Sequence, residues 1–305
     1  MSDDIRIFLF HRVSESKEKW AHATPISIFE KCVRYITNNF TVKTVEECLA
    51  KQGGQSHGNK PWACITFDDG FKDNIQYALP VLEKYKCPAS FYIVTDCIDS
   101  GLPTWPHLVQ NFFLNTNKFD LHIDGIDVKF SSKKERVMYG EMFLKKLLAL
   151  PNTEAQMLFN ATKQYFNDVK VTENVMMNWD DVRQLSAAGY NIGSHTASHP
   201  MLTQMETNEK VKYELAHSAE RIKEVCGKFP EAIAYPLGVT NEKIMKLAVE
   251  CGYTYGLTVD QRFYNPSSDN VMAVPRVDMF ADSGWLKTYL RLTGHLRLIK
   301  NVLGR

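Results

Sequence analysis

Two carboxylates stand side by side in Trp62-Ala63-Cys64-Ile65-Thr66-Phe67-Asp68-Asp69-Gly70-Phe71, where an apolar run stops abruptly. Adjacent side chains leave the backbone in different directions, so one carboxylate can bind a metal while its neighbour faces a substrate. Taken alone, Asp-Asp-Gly is also a turn or cap sequence. A second segment, Tyr190-Asn191-Ile192-Gly193-Ser194-His195-Thr196-Ala197-Ser198-His199-Pro200, places two imidazoles four residues apart. Gly193 precedes the pair and Pro200 disfavours the helical region at His199, so a tight loop is expected there. Two His with an Asp from another strand end make a three-ligand metal set, which leaves positions for water and substrate as catalytic sites do. A third segment, Ala232-Ile233-Ala234-Tyr235-Pro236-Leu237-Gly238, supplies a rigid turn that can aim a backbone N–H into a pocket.

These residues need a frame. Short apolar runs alternate with stretches of helical period, the pattern of α/β architecture with a mainly parallel sheet. Seven strands are expected, at Ile5 to Phe10, Phe40 to Val42, Trp62 to Phe67, Ala89 to Val94, Tyr190 to Ile192, Ala232 to Tyr235 and Thr254 to Leu257. Helices are expected near Ile28 to Asn38, Val45 to Lys51, Asn74 to Lys86, Asp180 to Ala188, Asn208 to Cys226 and Asn241 to Glu250. Both a barrel and an open doubly wound sheet accommodate that count. The rhythm breaks between about Ser100 and Asn178, where Asp120 to Phe130 alternates across an Asp-Gly turn like a hairpin and two helical stretches follow. This reads as a mixed helical and hairpin insertion on one rim of a single domain, 1–305, serving either substrate access or structure.

The 305 residues are 44% hydrophobic and 23% charged, with 36 Lys and Arg against 35 Asp and Glu. A net charge of +1 excludes a chain-wide nucleic-acid surface. Seven cysteines without a CxxC pair fit reduced thiols better than a disulfide framework. The N-terminus carries acids where an export signal needs bases, and no run approaches a membrane span, so a cytoplasmic location is expected.

Thr66-Phe67-Asp68-Asp69-Gly70 followed by His195-Thr196-Ala197-Ser198-His199-Pro200 resembles the polysaccharide deacetylases with a NodB homology domain, carbohydrate esterase family four. The resemblance extends over roughly Ile5 to Met279, includes Trp179 to Leu185, and is weakest across the insertion. It implies a distorted (β/α) barrel of about seven strands. It implies further that Asp69, His195 and His199 hold a divalent metal, most often zinc, that Asp68 is the general base, and that the Leu237 N–H steadies the tetrahedral oxyanion. The metal of such a site polarises the amide carbonyl and acidifies water.

Two features depart from the family pattern. Ala234 stands where many members carry an Arg that orients the base, and Arg276 in Val274-Pro275-Arg276-Val277-Asp278 is expected to fork onto Asp68 instead. The acid that protonates the leaving amine is a His near the C-terminus in many members. His295 occupies such a place, but His11, in Phe8-Leu9-Phe10-His11-Arg12-Val13, directly follows a strand as in a permuted branch and is preferred. His22, His57, His107, His122 and His217 are expected at the surface or in caps, while Trp105 and Trp179 flank the insertion as candidates for a sugar-stacking wall or for packing.

Ser283 to Arg305 reads as one basic amphipathic helix, capped by Asp282 or Ser283, with Trp285, Tyr289, Leu292, Leu296, Ile299 and Leu303 on one face. It carries +5, leaving −4 on the rest. Such a helix can lie on the anionic inner face of a membrane or be a terminal barrel helix with a solvated basic face. The expected function is removal of an N-acyl group, most often acetyl, from an amino sugar of a cell-surface polysaccharide or its precursor. The alternatives are an amidohydrolase of the same superfamily acting on a non-sugar amide, and a non-catalytic carbohydrate-binding relative; retention of Asp68 argues against the last.

Overall fold

The computed structural model describes residues 4–15, 23–50, 60–123, 126–171, 175–280 and 284–295. Each of the seven expected runs forms a strand: β1 (Arg6–Phe10), β2 (Thr41–Val42), β3 (Trp62–Phe67), β4 (Ser90–Ile93), β5 (Asn191–Ser194), β6 (Ala232–Ala234) and β7 (Tyr255–Leu257). An eighth strand, β8 (Val277–Asp278), adds to them. All pairings are parallel, in the order β7-β6-β5-β4-β3-β1-β8, with β2 beside the N-terminal half of β3. The sheet is brought round on itself by the segment leading into β8. Val274 bridges in parallel to Leu257, its N–H donating to Gly256 at 2.7 Å, and Val277 then pairs with Phe8. A barrel, rather than an open doubly wound sheet, follows from that closure.

Alternation along the strands sorts the side chains. Phe8, Phe10, Ala63, Ile65, Phe67, Phe91 and Ile93 face outward and pack with helix residues such as Phe29, Val33 and Leu82. Ile7, Cys64, Tyr92, Ala232, Ala234 and Leu257 fill the barrel interior. Small residues are needed beside Tyr92: a Cβ on Gly193 would lie 2.3 Å from its ring. All seven cysteines are free.

The helices fall close to their expected places, for example Ile26–Asn39, Trp179–Ala187 and Asn208–Cys226. Asn74 to Lys86 is corrected: a π-turn, Asn74–Ala78, precedes an α-helix, Leu79–Lys84. Pro80 has no N–H for the Gln76 carbonyl, and Leu79 N–H bonds back to Asn74 instead. The insertion comprises helix Trp105–Asn115, an antiparallel hairpin (Asp120–Ile123 with Ile126–Lys129) and helices Lys133–Ala149 and Asn152–Lys163. It has its own core, including Phe112, Phe113, Phe130, Phe143 and Phe166.

The C-terminal expectation is also corrected. The helix runs Trp285–Thr293 and ends at Gly294, whose left-handed φ of 79° stops it; its N-cap is Gly284. Tyr289 packs edge-on against Tyr35, and Leu292 is buried. Leu296, Ile299, Leu303 and the rest of 296–305, like Asp282 and Ser283, lie outside the described residues. No described helix is long and apolar enough to cross a membrane.

Candidate active site

Asp68 points into the barrel because it follows Cys64 and Thr66 on the inward face of β3. Its N–H still makes a strand-like bond to Phe10 O, at 3.0 Å. Its carboxylate meets the guanidinium of Arg276 in a two-pronged contact: Nη1 to Oδ1 at 2.7 Å and Nη2 to Oδ2 at 2.6 Å. Arg276 is fully buried and also donates to Thr258 O and Thr66 Oγ1, while its guanidinium lies 5.7 Å from the Tyr92 ring centre. Burial pushes the Asp68 carboxyl up, but the charges of Arg276 and His195 outweigh it and hold the group below its ordinary range.

Asp69 sits at φ 74°, a left-handed backbone that is costly without glycine and turns its carboxylate away from the strand alternation. It meets two imidazoles. Its Oδ1 lies 3.5 Å from His195 Nε2 and 3.6 Å from His199 Nε2, and the three donors fall within 4.8 Å of one another. His195 continues β5, its N–H donating to Ile93 O at 2.9 Å, and its Nδ1 is 2.6 Å from Ala234 O. That bond assigns the proton to Nδ1 and leaves Nε2 as a ligand. His199 is reached through a tight loop, as expected, with Thr196 at φ 69° and His199 at φ 61°. Burial lowers its pKa to about 4, so the ring is neutral and ligand-ready at neutral pH.

Partners that the sequence did not reveal hold this loop. Glu214, from helix Asn208–Cys226, accepts from Ser198 N–H at 2.8 Å and from its hydroxyl at 2.6 Å. Trp105, the first residue of an insertion helix, donates its indole N–H to His199 O at 2.9 Å. Thr196 Oγ1 accepts from His199 N–H at 3.1 Å. A glutamate in a mid-helix run of charges carries no local sign of such a role.

The site lies where the strands end, in a pocket of about 480 Å³ lined by His11, Asp68, Asp69, His195, His199 and Leu237 among others. Leu237 has φ 60° in the turn Pro236–Gly238, whose internal bonds run from Gly238 and Val239 and do not use the Leu237 N–H. His11 is therefore brought to the pocket. His295 is not: it is exposed beyond Gly294, 2.7 Å from Thr293 Oγ1. Insertion residues Trp105, His107, Leu144 and Leu148 form one wall, which moves His107 from its expected surface place to the pocket. Trp179 is not in that wall; its indole N–H bonds Asp99 at 2.6 Å and Arg221 lies over its ring. Asp181 in the same stretch closes a capping box with Asn178 and bonds Lys72 at 2.7 Å, tying the end of the insertion to the turn after Asp69. His22 and His57 lie outside the described residues.

A parallel barrel that gathers an Asp-His-His set, a candidate metal site, beside a second, buried Asp defines the class of this protein. The family model for polysaccharide deacetylase matches residues 55–122 and 159–256, more than half of the chain. The chain belongs to the polysaccharide deacetylase family. It is 22% identical over 255 residues to YxkH of Bacillus subtilis, a protein named for the same family, covering 83% of this chain and 64% of that one. The fold is shared with the Streptococcus pyogenes deacetylase PplD, solved in complex with acetate (TM-score 0.64, 14% identity, 95% and 98% of the two chains). It is shared also with IcaB from Ammonifex degensii (TM-score 0.60, 17% identity, 95% and 97%). His11 and Arg276 fall outside the family match, as do residues 123–158.

Proposed function

We propose that the chain is a metal-dependent deacetylase that removes the N-acetyl group from an amino sugar of a cell-surface polysaccharide or its precursor. The observation that carries the reading is the convergence of Asp69, His195 and His199 beside an Asp68 held ionised by Arg276. The donor set fits a divalent cation, zinc foremost: two imidazole nitrogens, one carboxylate oxygen, and a His195 tautomer already fixed by Ala234. His195 and His199 both turn Nε2 toward the same Asp69 oxygen, at 3.5 and 3.6 Å.

When bound, a divalent cation supplies Lewis acidity toward the amide carbonyl and makes water a stronger acid. Asp68 accepts the proton of the attacking water. Arg276 fixes its two oxygens, so the carboxylate is presented in one orientation and stays ionised. The Leu237 N–H donates to the oxygen on which charge develops, a contribution typically of about 3 kcal/mol. His11 donates a proton to the departing amine, general-acid work that an imidazole commonly performs.

Acetate release from N-acetylated sugars tests the reading. Activity is expected to vanish with a chelator and return with added zinc. Metal-replete protein that releases acetate from no N-acetyl sugar overturns it.

A further inference from the structure

We propose that Lys72 is a positioning residue for Asp69: its ion pair with Asp181 pins residues 175–177 against the turn that aims the Asp69 carboxylate at His195 and His199, and so sets how tightly the site holds its cation. This rests on the metal-site reading above.

Asp69 at φ 74° is followed by Gly70 at φ 89°, two left-handed residues in succession. Such a backbone persists only where its surroundings over-determine it. Strand β3 ends at Phe67, before this turn, and the Val94 N–H reaches Asp69 O only at 3.3 Å. Residues 175–177 hold it more closely. The Met177 N–H donates to Gly70 O at 2.9 Å, the Lys72 N–H donates to Val175 O at 2.8 Å, and Phe71 bridges Met176 in antiparallel fashion between those bonds. Phe71 and Met176 are buried together with Val94 and Cys97.

A ladder this short is marginal by itself. Asp181 fastens it. Lys72 Nζ lies 2.7 and 2.5 Å from the two Asp181 oxygens, and Asp181 Oδ2 also accepts from the Asn178 N–H at 2.9 Å. One carboxylate thus grips both strands of the ladder, through Lys72 next to Phe71 on the one and through Asn178 next to Met177 on the other. The Lys72 and Asp181 side chains are 28% and 11% exposed, which separates this pair from solvent-exposed ones such as Lys84 with Glu30, which contribute little. Because 175–177 is the last stretch of the insertion, the seating of the insertion bears on a metal ligand through this contact.

Zinc affinity is measured by competition with a chelating dye for the wild type, Lys72→Met, Asp181→Asn and Arg262→Met. Asn at 181 keeps an acceptor for the Asn178 N–H while removing the charge. Arg262 is the control: it pairs with Asp269 at 2.6 Å, close in the chain to Tyr264, which bridges Ile5 at the start of β1, the end of the barrel away from the pocket. Lys72→Met and Asp181→Asn are expected to weaken zinc by about tenfold or more, and Arg262→Met to bind as the wild type does. Unchanged affinity in either site variant, or an equal loss in Arg262→Met, overturns the proposal. Amide hydrogen exchange of the zinc-free proteins gives a second readout. Lys72→Met should speed exchange at the Val94 and Met177 amides, which bond Asp69 O and Gly70 O, and leave β1 and β6 as in the wild type. Uniform acceleration, or none, overturns the proposal. If the wild type binds no zinc that His199→Ala abolishes, the metal reading fails by itself and the exchange comparison decides the role of Lys72.

Discussion

Asp68 and Arg276 are 208 residues apart, and each is tolerable in the barrel only because of the other. Removing one partner of a buried ion pair leaves an uncompensated charge, at a typical cost of about 3–5 kcal/mol. Arg276→Met should therefore destabilise by about that amount in urea unfolding, whereas Asp68→Asn with Arg276→Met should recover most of it. Additive losses would contradict the pairing. The proton donor is tested by a second comparison at this scale. His11→Asn should lower kcat by about 10²-fold or more, and His295→Asn should leave it near wild type, because only His11 lines the pocket. The reverse result would transfer the role.

At the scale of elements, strand ends place the acids and the imidazoles, and the insertion clamps the loop between them. One clamp is Glu206, whose carboxylate accepts from Thr153 N–H at 2.7 Å, at the start of helix Asn152–Lys163. Hydrogen bonds from Thr153, and then from Lys210, lower its pKa to about 2 from an ordinary 4.5. A carboxyl depressed in the folded state stabilises it above about pH 4.5, and that contribution is lost as pH falls toward 2. Tm measured against pH should fall more steeply in wild type than in Glu206→Gln across that window, the two curves converging at its acid end. Parallel curves would show that the clamp contributes nothing. The same scale explains what was legible. Cys64, Thr66 and Asp68 share a face through the two-residue period of a strand, and Gly193 with Pro200 forces a loop around His195, both local facts. Strand β8, only two residues long, carries no period to read, and Gly294 ended a helix whose apolar spacing continues past it.

For the whole molecule, the candidate metal set Asp69, His195 and His199 joins β3 to the loop after β5, and a cation held there should stabilise the barrel as a unit. A ligand at about a hundred times its Kd adds about 2.7 kcal/mol to the folded state. Zinc should raise wild-type Tm by about 5 °C or more, and His199→Ala should lose most of that rise. An equal rise in both would place the cation elsewhere.

The chain's own order of residues determined the strands, the two motifs and the insertion's position, because hydrophobic period, Gly and Pro act over a few neighbours. Resemblance to the family, with Ala234 where many members carry an Arg, pointed Arg276 at Asp68. Only the tertiary structure decided that β8 closes the barrel, that Glu214 and Trp105 brace the His195–His199 loop, and that His107 reaches the pocket. The two braces join residues 16 and 94 apart, Glu214 with Ser198 and Trp105 with His199, and the closure pairs Phe8 with Val277 from opposite ends of the chain. Their strength comes from burial and alignment that exist once the chain is folded.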